Sequence, residues 1–222
     1  PTELSTNTTY TVTAWNTGGS DTTTITIEVL DQLPSLSYSP ENLTLTKGLA
    51  SSDLPLNATL TGSGEITSWA ISPALPSGLS FGTSNGTIWG ISTVLQTTAT
   101  TYTIWANNSG GSSSATVNIT ILDEIASISF NPSNVTIVRG YDMANISATT
   151  TGGIVVSWEI SPSLPSGLSF NNGTIYGRPF ANMSATTYTV YANNSGGSAS
   201  ASLTLTINEP TPNIDYNPDN YT

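Results

Sequence analysis

The chain has 222 residues, of which 3 are Lys or Arg and 14 are Asp or Glu, giving a formal net charge of −11 and a pI near 4.1. So few basic residues exclude proteins that hold nucleic acid or anionic lipid through clustered positive charge. There is no His and no Cys, which excludes Ser-His and Cys-His catalytic pairs, imidazole or thiolate zinc sites and disulfide frameworks. We therefore expect no enzyme, no cofactor and no nucleic-acid partner.

The composition favours strands over helices. Thr, Val, Ile, Tyr and Trp are frequent, whereas strong helix formers such as Lys, Arg, Gln, Glu and Met are scarce. No apolar run approaches the roughly 18 residues that a membrane helix needs, so we expect no membrane insertion within these residues. The opening sequence, PTELS, does not form a signal peptide.

Internal repetition is the strongest pattern in the sequence. TTYTV at residues 8–12 returns as TTYTI at residues 100–104 and as TTYTV at residues 186–190, and ISPALPSGLSF at residues 71–81 returns as ISPSLPSGLSF at residues 160–170. These offsets predict tandem copies of one unit of about 90 residues.

The repeats divide the chain into four parts. Residues 32–123 and 124–208 are complete repeats, whereas residues 1–31 match only the last third of a unit and residues 209–222 match only its first strand. The two partial units predict that the sequence is a slice of a longer chain. We expect them to be completed by the same polypeptide or by strands donated from a neighbouring copy.

Within a repeat, apolar residues alternate with polar ones as they do in half-buried strands. In chain order the alternation is plainest at residues 25–29, 117–121 and 203–207. The turn sequences Pro-Ser-Gly, Asn-Gly and Ser-Gly-Gly-Ser separate such segments. About seven short strands per unit predict an all-β fold of tandem immunoglobulin-like antiparallel β-sandwiches.

These motifs carry a family resemblance. LPSGLSF at residues 75–81, NGTIWG at 85–90, TYTI at 101–104 and NNSGG at 107–111 resemble the immunoglobulin-like and cadherin-like repeats of large microbial cell-surface proteins. The resemblance covers both complete repeats and the leading partial one. It implies the fold more than an activity, because the matching positions are turn and core positions.

Glycosylation sequons, Asn-x-Ser/Thr, are about twice as frequent as chance predicts, and several recur in register. We expect heavy N-glycosylation, the alternative being that a chain rich in Asn, Ser and Thr generates sequons without function. The twelve sequon asparagines are Asn7, Asn42, Asn57, Asn85, Asn107, Asn118, Asn134, Asn145, Asn172, Asn182, Asn193 and Asn220.

Acidic residues fall at the junctions between repeats, where cadherin-like repeats bind calcium. These are Asp31, the pair Asp123 and Glu124, and Glu209. Each junction offers only one or two acids, whereas a calcium site needs six to eight oxygen ligands. We therefore favour solvated linker charges and no metal, with calcium as the alternative.

Aromatic residues divide between the two faces of the strand that contains the TTYT motif. Tyr10 and Val12 share one face and are interpreted as core. Trp15, Trp105 and Tyr191 fall on the other face at corresponding positions of the three copies. A recurring aromatic there suits stacking on a glycan or contact with another chain, unless the strand is covered on both faces.

Two further aromatic residues depart from the family pattern. Trp89 and Tyr176 stand before a Gly where that pattern usually has Ser or another small polar residue. We expect a contact special to this chain, with a glycan or with a neighbouring chain.

These observations predict an extracellular, cell-surface structural protein. Its glycosylated repeats would build a stalk, sheath or filament, with N-linked glycans and copies of itself or neighbouring repeats as partners. Sequons without Cys suit an archaeal or other prokaryotic surface. The alternative is a carbohydrate-binding adhesin or an accessory region of a secreted polysaccharide-active enzyme.

Overall fold

The computed structural model describes residues 3–62 and 64–214, and every regular element in that part is a strand. The predicted all-β fold is therefore confirmed. The chain divides into two compact units, Pro1–Leu122 and Asp123–Thr222. None of the described residues forms a helix long and apolar enough to cross a bilayer. The sequon at Asn220 and most of the predicted opening strand at residues 209–222 lie outside the described residues.

The first unit contains a long hairpin followed by the strands of the first complete repeat. In chain order its strands are β1 (Ser5–Asn16), β2 (Gly19–Val29), β3 (Ser35–Ser37), β4 (Asn42–Thr46), β5 (Thr59–Thr61), β6 (Ser68–Ser72), β7 (Leu79–Phe81), β8 (Ile88–Gly90), β9 (Gln96–Asn108) and β10 (Gly111–Leu122). β1 and β2 form a two-stranded sheet. The others form a four-stranded sheet in the order β4-β10-β9-β6 and two small sheets, β3-β5 and β7-β8.

The four-stranded sheet supplies one wall of the first core. Val117, Ile119 and Ile121 on β10 are fully buried, as their alternation with polar residues predicts. Tyr102 and Ile104 on the neighbouring β9 are buried beside them, and apolar residues of both small sheets belong to the same cluster. The polar residues between them face outward, because successive side chains of a strand point to opposite faces.

One pair in this sheet is parallel, in contrast to the expected antiparallel arrangement. Asn118 to Leu122 on β10 run alongside Asn42 to Thr46 on β4 in the same direction. A parallel pair needs a long connection, and here the rest of the repeat lies between the two strands in sequence. β4 thereby covers one edge of the sheet.

The second unit repeats this arrangement. Its strands are β11 (Ala126–Ser129), β12 (Asn134–Val138), β13 (Ile146–Ser147), β14 (Thr149–Gly152), β15 (Ser157–Ser161), β16 (Leu168–Asn171), β17 (Thr174–Gly177), β18 (Met183–Asn194) and β19 (Gly197–Asn208). The main sheet has the order β12-β19-β18-β15, with β12 parallel to β19. Sheets β11-β14 and β13-β17-β16 accompany it. Leu203, Leu205 and Ile207 on β19 are buried in its core.

The β1–β2 hairpin departs from the interpretation of Tyr10 and Val12 as core. Tyr10 and Val12 are 50% and 54% exposed, and Ile25 and Ile27 on β2 are 51% and 43% exposed. These two strands make the same pairing as β9 with β10 but belong to a sheet of only two strands. Alternation predicts which residues share a face, whereas burial of that face needs a second layer packed on it.

A tryptophan packs on the Asn-Gly turn in each complete repeat. Trp69 is buried, with 7% of its surface exposed. A Cβ added to Gly86 would lie 2.3 Å from its ring, and the corresponding distance between Gly173 and Trp158 is 2.8 Å. Gly86 also accepts a 2.6 Å hydrogen bond from the Tyr38 hydroxyl at its carbonyl, and burial raises the pKa of Tyr38 above its usual range. These contacts give both Asn-Gly turns a role in packing.

We predict that Gly86→Ala destabilises the first complete repeat by about 3 kcal/mol, because it combines a positive φ of +70° with a clash against Trp69. Gly48→Ala is the matched control, since Gly48 has a φ of +77° and nothing within 4 Å of an added Cβ. It is expected to cost only about 1 kcal/mol of backbone strain. Denaturant unfolding measures both. Equal losses would show that the tryptophan contact contributes nothing.

Candidate functional site

The linker that enters each complete repeat is hydrogen-bonded to the turn of that repeat's long hairpin. In the first repeat the Asp31 backbone N–H donates to Ser109 Oγ at 2.8 Å, and the Ser109 hydroxyl donates to Asp31 Oδ2 at 2.7 Å. The two residues are 78 positions apart in the chain. This reciprocal pair fixes both the main chain and the side chain of the linker aspartate.

Asn108 and Gly110, the turn residues on either side of Ser109, complete the attachment. Asn108 Nδ2 donates to the Gln32 carbonyl at 2.7 Å, while its Oδ1 accepts the Gly110 N–H at 2.9 Å. A Cβ on Gly110 would lie 2.1 Å from the Asp31 carbonyl oxygen. Only glycine allows so close an approach of the two backbones. We call this set of contacts the junction clasp.

The second repeat contains the same clasp. Asp123 N–H donates to Ser195 Oγ at 2.8 Å, and the Ser195 hydroxyl donates to Asp123 Oδ2 at 3.0 Å. Asn194 Nδ2 donates to the Glu124 carbonyl at 2.7 Å. A Cβ on Gly196 would lie 2.0 Å from the Asp123 carbonyl oxygen. The recurrence of donors, acceptors and distances shows that the clasp is a property of the repeat.

Sequence reasoning missed the clasp, although a signal for it exists. An Asp opens the linker of each complete repeat, and an Asn-Ser-Gly-Gly turn follows near the end of that repeat. Taken singly, the acids indicate linker charges and the glycines indicate a turn. The Asp and the turn Ser recur in the same order in both complete repeats, 78 residues apart in the first and 72 in the second, and this joint recurrence makes them candidates for contact.

The junction acids named as calcium candidates have partners of another kind. Asp31 and Asp123 belong to clasps, and Glu209 forms an ion pair with Arg139 at 3.2 Å. Glu124 contributes its backbone carbonyl to a clasp. Among the described residues, no three acidic side chains come close enough together to hold a metal ion. Asp31 and Asp123 are thus hydrogen-bonded to turn residues, and Glu209 is paired with a basic side chain.

Most sequon asparagines lie on the surface. Asn107, Asn118 and Asn193 are half-buried, and the exposed ones in the described part are Asn7, Asn42, Asn57, Asn85, Asn134, Asn145, Asn172 and Asn182. Asn118 and Asn42 are side by side on the parallel pair of strands, where Asn118 Nδ2 donates to Asn42 Oδ1 at 2.9 Å. Asn107 and Asn193 each end an outward-facing row on β9 and β18.

The aromatic candidates lie on outward faces, but their predicted common register is wrong. Trp105 pairs with Ser114 and Tyr191 with Ser200, whereas Trp15 pairs with Ser20, two positions nearer its turn. Trp15 therefore occupies the place that Asn107 and Asn193 hold in the complete repeats. The cause is the order of residues before the turn, because the first copy has Thr-Ala-Trp-Asn where the second has Trp-Ala-Asn-Asn.

Trp15 is 76% exposed, Tyr191 is 36% exposed and Trp105 is half-buried. Trp89 and Tyr176 are 43% and 40% exposed, at matching positions of the two complete repeats. They are paired with Ser80 and Ser169, respectively. These two do share a register.

Comparison with known proteins identifies the fold of the repeats. The family described as "Putative Ig domain" matches residues 34–122 and 126–208. No curated protein matches the sequence.

Among solved structures, an I-band fragment of titin is 17% identical with a TM-score of 0.45, covering 92% of this chain and 75% of that one. The eight N-terminal Ig domains of Down syndrome cell adhesion molecule are 16% identical with a TM-score of 0.47, covering 91% and 28%. Extracellular domains 3–5 of Drosophila OTK are 16% identical with a TM-score of 0.44, covering 91% and 71%. These values are low, so they say nothing about what this chain binds.

We predict that Asp31→Ala lowers the stability of the first complete repeat by about 1 kcal/mol, since it removes the carboxylate that accepts the Ser109 hydroxyl. Asp53→Ala is the control, because Asp53 is an exposed acid outside the clasp, and its effect should stay within about 0.5 kcal/mol. Denaturant unfolding of the chain gives both values. If the two variants lose the same stability, the carboxylate has no role in the clasp.

Proposed function

The chain belongs to this family of immunoglobulin-like domains, and on that premise we propose that it is a structural protein of the cell exterior. Tandem immunoglobulin-like domains are typical of extracellular structural and adhesion proteins. In the proposed role, glycosylated repeats in series form a stalk, sheath or filament on a cell surface. Each repeat adds length, and the sugars cover its outward faces.

The recurring junction clasp is the observation that carries this proposal. β10 ends at Leu122, and the next residue, Asp123, is already held by Ser195. In the first unit β2 ends at Val29, and only Leu30 precedes the clasped Asp31. Linkers with free Gly or Ser residues behave as random coils, whereas here the linker residues are held by hydrogen bonds to the turn of the repeat they enter. Such a chain is suited to spanning distance.

The surface chemistry supports the same role. A net charge of −11 with only three basic residues favours a well-hydrated, soluble surface, and exposed sequons offer many positions for hydrophilic sugar. Asn42, Asn134 and Asn182 are among those whose side chains face solvent. Glycans at such positions would shield strand edges from pairing with other chains.

The stiffness of the junction can be tested with two spin labels, since the chain has no native Cys. Ala74→Cys and Ser163→Cys place exposed labels at corresponding positions of the two complete repeats. We expect pulsed electron paramagnetic resonance to give a narrow distribution of distances between the two labels. Asp123→Ala combined with Asn194→Ala should broaden it, because the linker is released, while Asp53→Ala should not. A broad distribution in the parent labelled chain would contradict a stiff junction.

Glycosylation is tested by peptide mapping of the native protein. We expect sugar on several of the twelve sequon asparagines, first of all on exposed ones such as Asn42 and Asn134, which a transferase can reach. Asn131, which is exposed but followed by Pro132, is the internal control and should be bare. If every sequon asparagine is unmodified, the glycosylated surface is refuted.

A second candidate is a carbohydrate-binding adhesin or an accessory region of a polysaccharide-active enzyme. It is favoured by Trp89 and Tyr176, which are exposed at matching positions of the two complete repeats. Binding of soluble polysaccharide to the chain, abolished by Trp89→Ala together with Tyr176→Ala, would select this candidate over the structural one.

A further inference from the structure

In each complete repeat, an aromatic residue precedes the hairpin sequon by two positions on the same strand. Trp105 and Asn107 lie on β9, and Tyr191 and Asn193 lie on β18. The alanine between the members of each pair is fully buried, so both members face outward. Residues two apart on one face of a strand are separated by about 7 Å along it. The first sugar on the asparagine therefore lies within reach of the aromatic ring.

Small side chains flank these pairs on both sides. On β10, Ser114 stands beside Trp105 and Ser112 beside Asn107; on β6, their neighbours are Ala70 and Ser68. All four flanking residues are exposed. No large side chain therefore flanks Trp105 on either of the two neighbouring strands.

The second repeat has a similar layout, with one larger neighbour beside the ring. On β19, Ser200 is beside Tyr191 and Ser198 is beside Asn193, and on β15 the neighbour of Asn193 is Ser157. Glu159 replaces the alanine beside the ring, and its Oε1 accepts a 3.3 Å hydrogen bond from Asn193 Nδ2. In the first repeat, Asn107 Nδ2 donates instead to Ser68 Oγ at 3.0 Å.

These hydrogen bonds orient the amide nitrogen to which sugar is attached. When an asparagine is glycosylated, Nδ2 bonds to the anomeric carbon of the sugar and loses one hydrogen as a proton, while the lipid phosphate carrier leaves. The second hydrogen stays on Nδ2. The contact with Ser68 or Glu159 can therefore persist after the sugar is attached and hold it along the sheet.

The leading hairpin shows the complementary pattern. Trp15 occupies the strand position of Asn107 and Asn193, so this position has no asparagine. The neighbouring Asn16 is not a sequon, because Gly18 stands where Ser or Thr is required. The position before Trp15 on that face is Thr13. Aromatic residue and sequon thus occur together at this spacing in both complete repeats, and both are missing at this spacing from β1.

We propose that Trp105 and Tyr191 are platforms for the chain's own N-linked glycans, the ring of each stacking on the first sugar attached to Asn107 or Asn193. The electron-rich face of an aromatic ring attracts the slightly positive C–H groups of a pyranose. The stacked sugar covers the exposed ring and stiffens the hairpin next to the clasp. This proposal rests on the glycosylation that forms part of the proposed function.

The test is a cycle of four full-length chains made in an N-glycosylating host: parent, Tyr191→Ala, Asn193→Gln and the double variant. We expect Asn193→Gln to lower the melting temperature of the second repeat by about 4 °C in the parent and to leave it unchanged when Tyr191 is Ala. The same chains made without glycosylation should show no such coupling. Asn193→Gln is used because replacing Ser195 would also break the clasp.

Tyr176→Ala is the matched control, since Tyr176 has nearly the same exposure as Tyr191 and is followed two positions later by Arg178. Its effect should simply add to that of Asn193→Gln. Mass spectrometry of the peptide containing Asn193 separates two failures. A bare Asn193 overturns both glycosylation and stacking at this site. If Asn193 carries sugar but Asn193→Gln lowers the melting temperature equally in the parent and in the Tyr191→Ala chain, stacking alone is overturned. A dimer that depends on Tyr191, found by light scattering, would also overturn stacking alone.

Discussion

The two-residue period of the long hairpin strands is the constraint on which the rest of the molecule depends. Because side chains alternate, β9 and β10 bury residues such as Tyr102 and Ile119 and leave every second position free of packing demands. The buried face supplies the hydrophobic stabilisation of the repeat. The outward face then carries the polar residues, sequon asparagines and aromatic rings on which the proposed function rests. One face of each strand thus stabilises the fold, and the other face is free to carry surface chemistry.

The same period explains what the sequence could and could not predict. It gave the all-β class and the buried residues of the complete repeats, because each of those faces has a second layer packed on it. It gave the shared face of Tyr10 and Val12, and the exposure of that face agrees with the repeat pattern, in which residues 1–31 are only the last third of a unit. Trp15 was assigned the wrong register because alternation tells only which face a residue occupies. The number of residues between Trp15 and the turn shows that Trp15 corresponds to Asn107 and Asn193.

Long-range hydrogen bonds were beyond local reasoning for a related reason. Asp31 and Ser109 are 78 residues apart, and neither stands out by itself in a chain rich in Ser with scattered acids. An isolated acid at a repeat junction suggests calcium or solvated charge, and a glycine pair suggests only a turn. The structure joins them because Gly110, lacking a side chain, lets the linker carbonyl approach the turn backbone. The recurrence of the same Asp and Ser in both complete repeats indicates this long-range contact, which a local pattern does not.

The tripeptide Asn-Asn-Ser at the hairpin turn shows how closely the clasp and the sequon are combined. Its first Asn faces outward and is the sequon asparagine, its second Asn donates to the linker carbonyl, and its Ser hydroxyl donates to the linker aspartate. The Ser that completes the sequon is therefore also a clasp residue. The β1–β2 hairpin retains the turn contact, with Asn16 Oδ1 accepting the Gly18 N–H at 2.7 Å, but has Trp15 in place of the outward Asn. The turn geometry is thus independent of the sequon, whereas the sequon cannot lose its Ser without weakening the clasp.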